Sequence, residues 1–321
     1  MSDANADRTG VVLMAYGTPR SPDEIEPYYT DIRRGRPPTP EALADLVARY
    51  DAIGGLSPLA ALTEDQRDAL QAALDERAPD RFDVTLGLKH ADPKVEEGSA
   101  ELSRAGFGSI VGLVLAPHYS SYSIGQYQQR VRDGVEQAGD TPRVVGIDSW
   151  ATEPAFVAFI ADDLRSRHEA MTNTLVEAGD ERGVRVVFTA HSLPMRIIDA
   201  GDPYPAELRA TAEAVAAELH LTEGEDWMIG WQSAGRTPEP WIGPDILDVI
   251  DDLGADPAVG GVIVSACGFV ADHLEVLYDL DIEARHRADD VGLLFDRTAC
   301  VNDDADVMAA LAARIIDAVE A

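Results

Sequence analysis

Lysine is almost missing from this chain: among 321 residues only Lys89 and Lys94 carry an ammonium, and 26 Lys+Arg stand against 58 Asp+Glu, a net charge of −32. A field this negative repels phosphate backbones and anionic lipid, which disfavours nucleic-acid binding and peripheral membrane attachment through basic patches. The same excess suits a very salty medium, where the screening length falls to about 3 Å at molar ionic strength. Cysteine is equally scarce. Cys267 and Cys300 stand 33 positions apart with no C-x-x-C, too few ligands for a zinc ribbon or a cysteine-held iron–sulfur cluster, and both read as reduced thiols. No apolar run reaches the 18 residues a bilayer-spanning helix needs, and the opening Met-Ser-Asp-Ala-Asn-Ala-Asp-Arg lacks the basic and apolar regions of a signal peptide. A cytoplasmic protein without membrane insertion is expected.

What is present is ordinary globular material, 45% apolar and 26% charged, and the length fits two medium domains. Short β-branched runs at Val11–Met14, Phe82–Leu88, Ile110–Leu115, Val144–Ile147, Val184–Phe188, Met228–Trp231 and Val262–Val264 end in turn residues and give way to helical patterns. Repetition of this kind means βαβ units. The expected fold is α/β: two similar doubly wound parallel-sheet (Rossmann-like) domains with a cleft between them, ligands lying beyond the carboxyl ends of the strands. Val11–Pro19 aligns with Val186–Pro194 at four of nine positions, each a strand running into a proline-closed turn, which places Tyr16 and His191 at equivalent strand ends. The division expected from this is an N-terminal domain at 1–152 and a C-terminal domain at 153–321.

Several constellations on strand-end loops carry chemistry, each with a plainer reading beside it. The segment from Gly268 to Glu283 reads as a helix, and Glu275, Asp279 and Glu283 at i, i+4, i+8 form an acidic stripe on it. The stripe is either a solvated face or, with His273 and the strand-end His191 nearby, a metal and proton-handling site, since carboxylates and imidazole suit divalent first-row metals. His191 is either a titrating group with an unperturbed pKa of about 6.5 or a hydrogen-bonded turn histidine. The cluster Arg33-Arg34-Gly35-Arg36 and the pair Arg49-Tyr50 suit an anionic ligand or pairing with the abundant acids. Ser57, in the glycine-rich turn Gly54-Gly55-Leu56-Ser57-Pro58-Leu59, adds a donor. Tyr16, Tyr119, Tyr122, Tyr127, Trp231 and Trp241 offer faces for a flat ligand or belong to the core. No G-x-S-x-G elbow surrounds Ser192, which argues against a serine hydrolase.

Eight motifs in order, Ala15-Tyr16-Gly17-Thr18-Pro19, Gly54-Gly55-Leu56-Ser57-Pro58-Leu59, Gly87-Leu88-Lys89-His90, Leu115-Ala116-Pro117-His118, Ala190-His191-Ser192-Leu193-Pro194, Gly230-Trp231-Gln232-Ser233, Trp241-Ile242-Gly243-Pro244-Asp245 and Gly268 to Glu275, together resemble ferrochelatase from about residue 10 to 320. Tyr16 in the first motif is similar to the coproporphyrin III branch of that family. The resemblance implies a haem-synthesis enzyme inserting Fe²⁺, its substrate metal, into coproporphyrin III. His191 and Glu275 would be catalytic and bind iron on one face of the macrocycle, with Tyr16 approaching from the other. It further implies that Asp279 and Glu283 form an outer acidic metal path, that Arg33, Arg49, Tyr50, Ser57 and Tyr127 contact the porphyrin and its propionates, and that a downstream haem-synthesis enzyme is a partner. Two departures stand out: Ala266-Cys267 replaces the family's usual proline, and the cysteine set that holds an iron–sulfur cluster in some relatives is missing. The alternatives are protoporphyrin IX as substrate, metal insertion into sirohydrochlorin, and a haem-binding carrier using Tyr16 as axial ligand.

Overall fold

The computed structural model describes residues 5–235 and 237–321. Two compact units emerge: one takes the chain through Trp150 together with Ala271–His273 and Asn302–Ala321, the other is Ala151–Val270 with Leu274–Val301. In chain order the first contains β1 (Thr9–Ala15), α1 (Ile25–Ile32), α2 (Pro40–Ala52), α3 (Leu59–Arg77), β2 (Phe82–Leu88), α4 (Val95–Arg104), β3 (Ser109–Val114), α5 (Ile124–Ala138) and β4 (Arg143–Ile147). The second contains α6 (Pro154–Glu177), β5 (Gly183–His191), α7 (Met195–Asp199), α8 (Tyr204–Leu219), β6 (Trp227–Gln232), α9 (Ile246–Ala255), β7 (Val259–Ser265), α10 (Leu274–Tyr278), a π-helical segment at Asp279–Ala284, α11 (Arg285–Asp290) and β8 (Leu294–Arg297). The last helix, α12 (Ala305–Glu320), packs on α3 in the first unit, whereas a division at 152/153 leaves it in the second.

Each unit holds a four-stranded, all-parallel sheet, ordered β2-β1-β3-β4 in the first and β6-β5-β7-β8 in the second. The two orders are the same, and β1 and β5 take the same place in them, so the α/β doubly wound class and the internal repeat read from Val11–Pro19 and Val186–Pro194 hold. All seven strands read from β-branched runs are present. The eighth, β8, escaped that reading because Leu-Phe-Asp-Arg has two charged residues in four and no β-branched one.

The strands read as unbroken apolar runs because helices cover both faces of a parallel sheet; all seven residues of β1 are buried. Helix starts follow from capping chemistry. The Thr39 hydroxyl accepts from the Ala42 N–H with Pro40 opening α2, Asp245 accepts from Leu247 N–H at α9, and Asp304 accepts from the Asp306 and Val307 N–H groups at α12. The second core gathers Val187, Val262, Val264, Ile250, Val276, Leu280 and Ala284, each fully buried. At about 1.5–3 kcal/mol per buried aliphatic side chain, Val276 and Leu280 alone hold α10 and the π segment firmly onto this core.

Candidate active site

β5 ends on His191, whose register partner on β6 is Gln232. The segment after β7 must pass close beneath this strand end, and glycine makes that possible. A Cβ on Gly268 would lie 2.4 Å from the Ala190 Cβ, while the Gly268 N–H donates to the Thr189 carbonyl at 3.0 Å. This close approach brings the start of α10 to the end of β5, and with it Glu275 to His191.

Hydrogen bonds then fix the pair. The Thr189 hydroxyl donates to Gln232 Oε1 at 2.8 Å, and Gln232 Nε2 donates to the Glu275 carbonyl at 3.4 Å. The Tyr204 hydroxyl donates to the His191 carbonyl at 3.1 Å. His191 Nδ1 lies 2.5 Å from the Ser192 carbonyl oxygen. A carbonyl only accepts, so Nδ1 carries a proton, and Nε2 is the nitrogen turned to Glu275 Oε1 at 3.6 Å. Burial of the ring lowers its pKa, but the Glu275 charge and hydrogen bond, the Ser192 carbonyl and the Asp279 charge together outweigh it and raise the pKa to about 9. At neutral pH the pair is therefore imidazolium and carboxylate, not the neutral imidazole that an unperturbed value implies. Both side chains keep about a third of their surface open, 34% and 39%, and the rings of Trp241 and Phe269 flank the imidazole at 6.4 and 6.5 Å.

The helix read from Gly268 begins only at Leu274, after an irregular stretch, and widens into a π-helix at Asp279. The widening matters for the acidic stripe. Four residues of α-helix advance by about 400°, so three positions spaced by four drift by about 80° over the span. A π segment turns by only about 82° per residue, so one α step followed by one π step brings Glu283 back to within about 10° of Glu275, with Asp279 about 40° to one side of both. Asp279 is buried and accepts a short hydrogen bond of 2.5 Å from the Ser233 hydroxyl, just past β6. Glu283 is half-buried. Among the described residues, no group of three or more His, Cys, Asp or Glu side chains is close enough to hold a metal ion, so His191 and Glu275 meet as a pair and the other two acids follow along the helix.

The candidates for porphyrin contact, Tyr16, Arg33, Arg49, Tyr50, Ser57 and Tyr127, belong to the first unit. Tyr16, just past β1, is 43% exposed and its ring lies 4.6 Å from that of His90, whose Nδ1 pairs with Asp31 at 2.7 Å. Tyr50 is buried with its hydroxyl 3.5 Å from that of Thr18 in the Tyr16 turn. Tyr127 is buried under the Lys89 ammonium, 5.1 Å above its ring. Ser57 accepts from the Leu59 N–H at 3.2 Å and lines a pocket of ≈ 260 Å³ with Pro19, Arg20 and Glu64. Arg49 lies 3.8 Å from Asp45, one turn away on α2. Arg33 stacks its guanidinium 5.6 Å over Tyr29 and is exposed. Tyr16, Tyr50 and Tyr127 thus gather around the ends of β1 and β2, while Arg33, Arg49 and Ser57 sit on separate helix ends. Sequence reasoning left Lys89 and Ser233 without a role. Burial, then the charges of Arg130 and Arg34, lowers the Lys89 pKa to about 8, and the signal was there in its being one of two lysines.

A family profile described as Ferrochelatase matches residues 8–319. The chain is 43% identical to a coproporphyrin III ferrochelatase of Halalkalibacterium halodurans over 92% of both chains. It is also 43% identical to a ferrochelatase of Herpetosiphon aurantiacus, covering 92% of this chain and 94% of that one. A crystal structure of the sirohydrochlorin chelatase SirB from Bacillus subtilis subspecies spizizenii with cobalt shares the fold at a TM-score of 0.57 and 9% identity, over 98% of this chain and 96% of that one. Matched from end to end in sequence, with the doubly wound sheets to go with it, this chain belongs to the ferrochelatase family.

Proposed function

We propose that this protein inserts Fe²⁺ into coproporphyrin III to give Fe-coproporphyrin III in haem biosynthesis. The observation that carries the reading is the His191–Glu275 pair, with Nε2 and a carboxylate oxygen 3.6 Å apart at a strand end and both partly open. Relatives at 43% identity over nine-tenths of the chain that carry the name coproporphyrin III ferrochelatase support the substrate.

Metallation of a free-base porphyrin releases two pyrrole protons as the dianionic macrocycle takes the metal. A histidine and a carboxylate side by side suit this: iron entering at Nε2 would displace the imidazolium proton to solvent, and as the metal passes into the macrocycle the freed imidazole and the carboxylate would take one pyrrole proton each. With Nδ1 held on the Ser192 carbonyl, a deprotonated Nε2 presents its lone pair where Glu275 presents an oxygen, and the two form a transient N,O ligand set for iron as its water is stripped. In this reading Asp279 and Glu283 form the path by which iron reaches the pair, and Tyr16, Arg33, Arg49, Tyr50, Ser57 and Tyr127 contact the macrocycle and its propionates, the guanidinium groups setting its orientation. No iron–sulfur cluster takes part, and a cytoplasmic setting with a downstream enzyme receiving the product completes the reading. Two buried, unbridged cysteines support a reducing compartment.

The test is anaerobic Fe²⁺ insertion followed by porphyrin absorbance with coproporphyrin III and protoporphyrin IX in parallel. The expected result is faster turnover of coproporphyrin III. Faster turnover of protoporphyrin IX overturns the substrate assignment, and haem binding with no insertion into either porphyrin overturns the enzyme.

A further inference from the structure

The π segment presents three faces with different partners. Val276, Leu280 and Ala284 repeat every four residues and are fully buried in the core of the second unit. Glu275, Asp279 and Glu283 repeat at the same spacing and form the acidic line. Asp281 lies two residues from both Asp279 and Glu283, about 164° around a π-helix, and so points away from that line. There it meets β8. Arg297, the last residue of that strand, grips the Asp281 carboxylate bidentately with the Nε–Nη2 edge of its guanidinium, Nε at 2.7 Å and Nη2 at 2.9 Å, and its Nη1 donates to the Thr298 carbonyl at 3.1 Å. Four residues on, Arg285 Nη1 donates to the Phe295 carbonyl at 3.1 Å while its guanidinium covers the Phe295 ring at 5.0 Å. The π segment is thus tied to β8 from within, at Asp281, and just past its end, at Arg285.

A π-helix is rare and occurs mostly as single turns within α-helices, frequently at functional sites, so the contacts that hold this one are of interest. Relaxation to α here turns Glu283 about 80° away from Glu275. Arg297 is 13% exposed and bidentate, a geometry that fixes direction as well as distance. We infer that Arg297 and Asp281 are positioning residues for iron delivery: their fork holds the π turn and so keeps Glu283 on the same side of the helix as Glu275, with Asp279 between them. The inference rests on the proposed function for the identity of the metal.

The test compares the full-length protein with Asp281→Asn, Arg297→Gln, the double variant and the conservative Arg297→Lys. Iron insertion into coproporphyrin III is read as separate KM values for Fe²⁺ and porphyrin, together with Co²⁺ affinity of the porphyrin-free protein by calorimetry. Each single variant is expected to raise the Fe²⁺ KM and weaken Co²⁺ binding about tenfold while the porphyrin KM stays within twofold. The double variant is expected to match the singles rather than multiply them, because all cut one link. Arg297→Lys, which keeps the charge without the fork, should fall between wild type and Arg297→Gln. An unchanged Fe²⁺ KM in Asp281→Asn or in Arg297→Lys overturns the inference, and so does a porphyrin KM that rises in step with that for iron. Wild-type protein that inserts no iron refutes the proposed function instead, and the Co²⁺ affinities still decide whether the fork positions the acids.

Discussion

At the scale of single residues, the chemistry concentrates in one imidazole held by both nitrogens. Because Nδ1 is committed to a carbonyl, everything His191 does passes through Nε2, and Glu275 is the group that sets its charge. His191→Ala and Glu275→Gln are each expected to lower kcat for iron insertion by at least about 100-fold, the range of a lost general base, with the fold intact by circular dichroism. Near-normal turnover in either variant refutes the assignment. The raised pKa has a signed consequence for stability. A histidine whose pKa is higher folded than unfolded stabilises the fold fully below its unfolded value of about 6.5 and loses that contribution as pH rises through about 9. The gap in denaturation midpoint between wild type and His191→Gln should therefore be widest near pH 6 and close by pH 10. A gap independent of pH contradicts the imidazolium–carboxylate pair.

At the scale of elements, the decisive feature is the passage from α10 to the π segment. Ser233, just beyond β6, donates to the buried Asp279 carboxylate, so Ser233→Ala leaves that acid with one fewer donor and is expected to raise the Fe²⁺ KM several-fold with the porphyrin KM unchanged. Equal rises in both place Ser233 in general packing instead. Much of this was legible in the sequence. Spacing of four found the acidic line, and the proline-closed turns after Val186–Val187 and Val11–Val12 found the two equivalent strand ends, because β5 and β1 are covered on both faces and have to be apolar throughout. What stayed hidden depends on contacts between distant segments. An α-helical reading assigns i, i+4, i+8 to one stripe without revealing that only a wider turn brings Glu283 back to the side of Glu275. β8 hid because charged Asp296 and Arg297 break the apolar pattern, and Arg297 is where the helix is held. The charge of His191 escaped too, since it is set by a carboxylate 84 positions later, as 275 − 191 gives.

At the scale of the whole molecule, a net charge of −32 on 321 residues makes self-repulsion a property of the fold itself. Screening shortens from about 10 Å at 0.1 M salt to about 3 Å at 1 M, so the melting temperature should climb steadily as KCl is raised across that range, and a flat or falling Tm contradicts the reading of the surface. Against this background the cations near the end of β2 are themselves matched by acids, Lys94 with Asp31 at 3.5 Å and Arg130 with Glu96 at 2.5 Å. The account rests most heavily on His191 and Glu275 acting together on a porphyrin, and single-turnover absorbance tests this most directly. Enzyme loaded with free-base coproporphyrin III is mixed anaerobically with Fe²⁺, wild type beside His191→Ala. The expected record is rapid replacement of the free-base bands by those of the iron porphyrin in the wild type and persistence of the free-base bands in the variant. Equal rates in the two proteins contradict the account.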